Sequence, residues 1–352
     1  MSINFCAPIN NTGYGIASLN ILKELAKLDN DISLFPIGNP SLQTQEEYDL
    51  IVSLYNKQDD FKIDSPTVKI WHQFDLAERV GRGRYFAYPF FELDSFNKRE
   101  VKHLSVPDEL FATSEWAKHI MECHGIRSPV HVVPLGVDST IFNPNLIKTR
   151  SDNKYVFLTI GKWEVRKAHD LLPSIFKKAF PNETDVELWI LAAEHTNSYS
   201  KPEEITEWKN LYRANNIRVI TGVESHHDVA QLIANSDCGL YISRAEGWNL
   251  ELLETMSMNK PVIATNYSAH TEFCTSDNCY LVDIDNTEKA YDGKVFRGQG
   301  SWAKIGQNQI DQTIEHMRNL YKNRINTNIE GVKTAQKLSW KNSASIIHGC
   351  IS

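Results

Sequence analysis

Short apolar runs alternate along this chain with stretches whose apolar positions recur every three to four residues, the pattern of strand–helix units wound into parallel sheets. It occurs twice. In the first half Ser2–Ala7 reads as a strand and residues 10–15 as a turn. A helix is expected over 16–28, with Leu19, Leu22 and Leu25 on one side. Further strands are expected over 49–53, 68–72, 109–113 and 129–133, with a helix over 115–124 between the last two.

Asn143-Pro144-Asn145 and the polar stretch Lys148 to Lys154 read as a linker. After it, Tyr155–Ile160 starts a second series. Helices are expected over 171–180, 202–215, 228–235 and 249–258, and strands over 187–192, 217–221, 238–243 and 261–265. A long helix over 307–322 and an amphipathic segment over 339–351 close the chain. The expected division is a first domain over 1–147, joined by a returning helix over about 338–352, and a second over 148–337. Both are read as Rossmann-like, doubly wound α/β units.

Composition narrows the class. The 352 residues are 41% hydrophobic and 23% charged, as in soluble globular proteins, and the net charge of −7 leaves no basic domain for nucleic acid or anionic lipid. No apolar run reaches the roughly 20 residues needed to cross a bilayer, and the first residues lack a signal peptide's basic and apolar regions. A cytoplasmic protein is expected. Cys6, Cys123, Cys238, Cys274, Cys279 and Cys350 are scattered with no C-x-x-C pair, so they read as reduced thiols rather than a metal frame.

The most informative segment runs from Tyr241 to Glu254 and places Glu246 in the turn after a strand and Glu254 in the following helix. Two such glutamates alone are an ordinary solvated pair. At the carboxyl end of a strand, where open α/β sheets bind ligands, they become candidates. Gly247 permits close approach of a ligand, and the N–H groups of Asn249 and Leu250 at the helix start suit a phosphate. Lys162, Arg166 and Lys167 follow another strand and supply cations for a diphosphate. Gly13-Tyr14-Gly15 is a third glycine turn opening a helix, but neither a G-x-G-x-x-G nor a P-loop motif. Asp283-Ile284-Asp285 and Asp29-Asn30-Asp31 have the spacing of metal-dependent transferases, a frequent chance pattern, and His226-His227-Asp228 reads as a helix entry.

Taken together, these residues resemble the retaining GT-B glycosyltransferases of glycosyltransferase family 4, the group 1 glycosyl transferases, over nearly the whole chain and in the family's order. Glu246 to Glu254 matches the E-x7-E element, Gly161-Lys162 to Lys167-Ala168 the Gly-Arg-x4-Lys-Gly element, and Gly13-Tyr14-Gly15 the N-terminal glycine loop. Pro134 to Asp138, Thr265 to Glu272 and Ser339-Trp340 resemble further family segments. Lys162 stands where Arg is usual, Ala168 where Gly is usual, and Trp248-Asn249 where Phe-Gly is common; Asn249 thereby adds a side chain near the expected sugar.

The resemblance implies a GT-B fold with two Rossmann-like domains facing across a cleft. It implies transfer of a hexose from a UDP- or GDP-sugar to an acceptor hydroxyl with retention of configuration, with no obligatory metal or other cofactor. Under it, Glu246 holds the donor sugar, Lys167 with Lys162 or Arg166 neutralises the diphosphate, and Glu254 binds the ribose. Gly13, Tyr14, Gly15, Gly247, Trp248, Asn249 and Leu250 approach the donor, while Ile220 and Gly222 flank the base. His72 contacts the transferred sugar, and Glu92 and Asp94 face the acceptor. A glycan is the first choice of acceptor, ahead of a lipid or a modified DNA base. The competing readings are a nucleotide-sugar epimerase on the same fold and a catalytically silent sugar-nucleotide or glycan-binding subunit.

Overall fold

The structure is a computed structural model that describes residues 1–28, 31–192 and 202–352. Asp29 and Asn30 of the first acidic triplet lie outside the described residues. The chain divides into two compact units, Met1–Gly136 with Leu338–Ser352, and Val137–Lys337.

The first unit contains β1 (Ser2–Ala7), α1 (Gly13–Ala26), β2 (Asp31–Pro36), α2 (Gln45–Tyr55), β3 (Thr67–Ile70), β4 (Tyr85–Tyr88), α3 (Lys98–Leu104), β5 (Glu109–Ala112), α4 (Glu115–Cys123) and β6 (Val130–Val132). The strands form one parallel sheet in the order β2-β1-β3-β4-β5-β6. Residues 49–53, expected as a strand, lie inside α2. The Thr44 hydroxyl accepts the Glu47 N–H at its N-terminus, and Ile51 and Leu54, three residues apart, are its buried positions. So short an apolar run carries no decisive period. β2 and β4 were not foreseen.

The second unit contains β7 (Tyr155–Ile160), α5 (Leu172–Ala179), β8 (Val186–Leu191), α6 (Pro202–Leu211), β9 (Ile217–Ile220), α7 (His226–Ala234), β10 (Cys238–Tyr241), α8 (Leu250–Ser257), β11 (Val262–Asn266), β12 (Tyr280–Asp283), β13 (Thr287–Tyr291), β14 (Arg297–Ala303), α9 (Gln307–Lys322) and α10 (Ile329–Lys337). Its six-stranded parallel sheet has the order β12-β11-β10-β7-β8-β9. β13 and β14 pair antiparallel as a separate hairpin. The core is built on both sides of β7 and β8, strands buried along nearly their whole length as a sheet covered by helices requires.

The stretch read as a linker is bound along the second unit rather than spanning freely. Ser257 donates to the Phe142 carbonyl at 2.8 Å, and Arg150 and Lys148 pair with Asp237 at 2.7 and 3.0 Å. The second unit therefore begins at Val137, not at residue 148. In the first unit the last helix, α11 (Trp340–Ile351), packs on α1 through its buried Ala344, Ile347 and Ile351 face. Its start sits against Gly136, where a Cβ would come within 2.1 Å of the Trp340 nitrogen. Ser343 donates to the Pro134 carbonyl at 2.6 Å beside it. Among the described residues no helix is long and apolar enough to cross a membrane.

Candidate functional site

In the second sheet the winding reverses between β7 and β10, which are adjacent although three strands apart in sequence. The loops leaving such a pair diverge to opposite faces and open a crevice at the carboxyl edge. Those two loops carry Lys162 to Asp170 and Ser243 to Asn249.

They meet in a buried ion cluster. Glu246 pairs with Arg166 Nη1 through Oε2 at 2.7 Å and with Lys167 Nζ through Oε1 at 2.8 Å, all three side chains being at most 8% exposed. Arg166 also donates to the Ala245 carbonyl at 2.8 Å and pairs with Glu164 at 2.8 Å, while Glu251 lies 4.0 Å from Lys167. Burial alone would raise the Glu246 pKa. The two cations overcome it and hold the carboxyl far below the usual carboxylate range. Glu246 is therefore ionised at every physiological pH.

The loop that supplies the cations is a tight double turn. Lys167 N–H donates to the Glu164 carbonyl at 3.2 Å and Ala168 N–H to that of Val165 at 2.9 Å; Ala168 then adopts a left-handed backbone with φ 57°. Arg244 fixes this turn. Its backbone N–H donates to the Arg166 carbonyl at 2.7 Å, its guanidinium forks onto Asp170 at 2.8 and 2.9 Å, and it also reaches the Val165 carbonyl. The β14 end is attached at the same residue, Ala303 N–H donating to the Arg244 carbonyl at 2.8 Å.

Asn249 precedes α8 in a left-handed conformation, φ 85° and ψ 77°. Asparagine is among the few residues bearing a Cβ that enter this region readily. Both positions where glycine is common in the resembling family, 168 and 249, are thus positions of left-handed backbone here. The Asn249 side chain is already engaged. Its Oδ1 accepts the Leu252 N–H at 3.3 Å and its Nδ2 donates to His270 Nε2 at 2.9 Å. His270 in turn donates from Nδ1 to the Thr265 carbonyl at 3.0 Å, which assigns the tautomer, and burial keeps its pKa down in the neutral form. The amide expected near the sugar is consequently turned into the protein, where it caps α8.

Glu254, one helical turn into α8, contrasts with Glu246. It is buried, has no hydrogen bond or ion pair among the described residues, and is repelled by the Glu251 carboxylate. Burial, then that repulsion, push its pKa well up. Leu250 is the first residue of α8, and Trp248 is buried against Phe273 at 4.8 Å with no acceptor for its indole N–H among the described residues. Gly247 lies between Glu246 and Trp248 in the same loop. Lys162 is half-buried, with its ammonium in no ion pair among the described residues. Ile220 ends β9, two strands from β7, and Gly222 follows it in the loop with φ 75°; neither is part of the cluster. Asp283 and Asp285 are engaged by Asn266, Asn308 and Gln309.

Gly13, Tyr14, Gly15, His72, Glu92 and Asp94 belong to the first unit. There Tyr14 and His72 meet, ring centroids 4.7 Å apart, and Glu92 is near enough to raise the Tyr14 pKa further after burial. Arg244, Asp170, Ser268 and His270 were missed from the sequence. Ser268, itself left-handed at φ 53°, accepts the Glu246 N–H at 2.9 Å. Only the loop order Ser-Arg before Ala-Glu-Gly hinted at Arg244, and its carboxylate partner lies 74 residues away.

Residues 154–294 match the family glycosyl transferases group 1. The match spans the ion cluster, the start of α8 and part of the hairpin. A curated relative, an MMP α-(1→4)-mannosyltransferase of Mycolicibacterium hassiacum, is 26% identical over 257 residues, 71% of this chain; the chain spans about half of that relative's length, 55%. Among solved structures, sucrose-phosphate synthase from Thermosynechococcus elongatus superposes with a TM-score of 0.70 at 11% identity over 99% of this chain and 98% of the other. The Anabaena protein HepE in complex with UDP and glucose does so with a TM-score of 0.68 at 15% identity over 99% of both. The resemblance to group 1 glycosyltransferases and the fold class, GT-B with two Rossmann-like units, both hold.

Proposed function

We propose that this protein is a retaining glycosyltransferase that takes a hexose from a UDP- or GDP-sugar and passes it to an acceptor hydroxyl without an obligatory metal. The observation that carries the reading is the buried Arg166–Glu246–Lys167 cluster at the switch point of the second sheet. Support comes from the family match over that region and from the UDP and glucose held by a structure of the same fold.

In this reading the N–H groups of the first turn of α8 and the uncommitted ammonium of Lys162 meet the diphosphate, with Lys167 beside them. Glu246, ionised and held from behind by two cations, accepts hydroxyl groups of the sugar near its anomeric carbon. As the bond from that carbon to the diphosphate oxygen breaks, the acceptor oxygen attacks from the same face and its proton passes to the departing phosphate. Glu254 meets the ribose hydroxyls. Because they donate hydrogen bonds, they favour its ionised form, so nucleotide binding releases a proton from this carboxyl. The family resemblance assigns Gly13, Tyr14 and Gly15 of the first unit to donor binding, His72 to contact with the transferred sugar, and Glu92 and Asp94 to the acceptor.

Calorimetric titration with UDP, GDP and ADP in the absence of metal tests the reading, using the wild type, Lys167→Ala and Glu254→Ala. Saturable binding of one nucleotide, weakened by either substitution, is expected. A folded sample that binds none of them refutes it and favours a silent subunit.

A further inference from the structure

The strands β13 and β14 pair only with each other, outside both main sheets, yet their hairpin has an inner and an outer face. Along β13, Thr287, Lys289 and Tyr291 are exposed, whereas Glu288 is half-buried and Ala290 buried, the alternation of a strand with one side against protein. Glu288 stands directly opposite Trp302 in the pairing, which puts both side chains on the inner face. They are joined there. The Trp302 indole N–H donates to Glu288 Oε1 at 3.3 Å, and Phe296 packs edge to face on the indole at 5.5 Å. Trp302 is only 2% exposed, so the hairpin is docked on the second unit rather than projecting from it.

The residue that this inner face meets is Arg244. Its guanidinium carbon lies 5.8 Å from the centroid of the indole, within the range of a cation–π contact. Glu288 Oε1 sits 3.7 Å from Arg244 Nε, an ion pair too long for a hydrogen bond. The Ala303 N–H holds the backbone of the same residue through its carbonyl. Arg244 is buried, and its two terminal nitrogens are committed to Asp170 and the Val165 carbonyl. What remains is Nε and the flat face of the guanidinium, and the hairpin supplies a group to each.

A guanidinium gripped along one edge is free to rock on its long side chain; gripped also at its face and third nitrogen, it is fixed. Arg244 binds the Arg166 carbonyl through its N–H and the Val165 carbonyl through its guanidinium, so whatever fixes Arg244 fixes the turn from which Arg166 and Lys167 reach Glu246. The far end of the hairpin is fastened as well, Lys294 pairing with Glu204 of α6 at 2.5 Å.

We propose that Glu288 and Trp302 are positioning residues for the ion cluster: through Arg244 the hairpin holds the Arg166–Lys167 turn in the geometry that receives a diphosphate. The diphosphate rests on the transferase reading above; the holding of the turn does not. Amide hydrogen exchange by NMR, on the full chain without nucleotide, reads the turn directly, because the Lys167 and Ala168 N–H groups close it. Both amides should exchange about tenfold faster in Trp302→Leu, the worth of a buried cation–π contact, and about threefold faster in the half-exposed variant Glu288→Ala. Phe157 and Leu158 on β7 should change less, and the outer-face variant Tyr291→Ala should match wild type. In an Arg244→Ala background the same substitutions should add nothing at the turn. Unchanged exchange at Lys167 and Ala168 in Glu288→Ala overturns the proposal, as does an equal rise throughout the second unit or an effect that persists without Arg244. Titration with UDP, GDP and ADP keeps the two readings apart. Nucleotide affinity should fall in the same order, with recovery in Trp302→Phe, which keeps a ring face for the guanidinium. A wild type that binds no nucleotide sinks the donor reading alone, since the exchange measurement still decides whether the hairpin holds the turn.

Discussion

The two glutamates of one eight-residue motif should respond with opposite sign when their charge is removed. Glu246 is clasped by Arg166 and Lys167 at 2.7 and 2.8 Å in a buried site. In Glu246→Gln both cations stay buried without their counter-ion, a loss of roughly 3–5 kcal/mol for a broken buried pair. Arg166 keeps Glu164 and the Ala245 carbonyl, and a glutamine oxygen still accepts one hydrogen bond, which places the expected loss near the lower end. Glu254 has no cation partner among the described residues, and its folded pKa lies well above that of the unfolded chain. Its contribution is fully present below the unfolded value of about 4.3 and declines by about 1.4 kcal/mol per pH unit until the folded pKa is passed. Glu254→Gln removes that decline, so the variant should be more stable than the wild type at pH 7. For Glu246, with its folded pKa depressed, the contribution is present above about 4.3 and is lost only as the pH falls below it. Urea unfolding followed by tryptophan fluorescence at pH 5, 6 and 7 measures all three proteins, each variant against wild type so that other titrations cancel. A Glu254→Gln variant no more stable than wild type at pH 7, or a gap that stays flat between pH 5 and 7, would refute the reasoning.

Three further outcomes follow from single contacts. Asn249→Ala should cost about 2–4 kcal/mol in urea unfolding, combining left-handed strain, a lost helix cap and an unpartnered His270. Asn249→Gly should recover about 1 kcal/mol of this by relieving the strain, and a glycine variant worse than alanine would count against the assignment. Arg244→Ala should destabilise the second unit by about 3 kcal/mol and weaken nucleotide binding by loosening the turn that carries Arg166 and Lys167, with Arg244→Lys intermediate because it loses the fork onto Asp170. Unchanged nucleotide affinity in a folded Arg244→Ala would show that the turn holds itself. In Gly136→Ala the added Cβ collides with the Trp340 nitrogen, so the backbone there must separate; an increase in hydrogen exchange along α11 is expected, and unaltered protection would contradict the close approach.

Much of the second unit was legible because its elements are long and periodic. The helix expected over 307–322 is α9 to the residue, and every strand of the second sheet except the edge strand β12 was expected, with bounds within a residue or two. The first unit was harder: its strands β3 to β6 are three or four residues long, too short to show a period, and the run at 49–53 packs as a helix. The hairpin β13–β14 escaped notice because its alternation is mostly polar and its strands are bound to neither main sheet.

The sequence by itself determined the αβ alternation, the two-unit plan and the identity of the charged loops, since these depend on local periodicity and on which residue types follow a strand. It also marked Glu246, Lys167 and Glu254 as residues to watch. Only the tertiary structure decided what their charges are worth. Glu246 and Glu254 are the same side chain eight residues apart, yet one is held ionised by cations brought from a loop about 80 residues earlier and the other is pushed toward its neutral form by burial beside Glu251. Likewise, whether Asn249 faced a ligand or the protein depended on His270, placed beside it by the next strand and its loop. The electrostatics of a site are set by long-range neighbours and solvent exclusion, and strand order, which no local pattern encodes, chooses those neighbours.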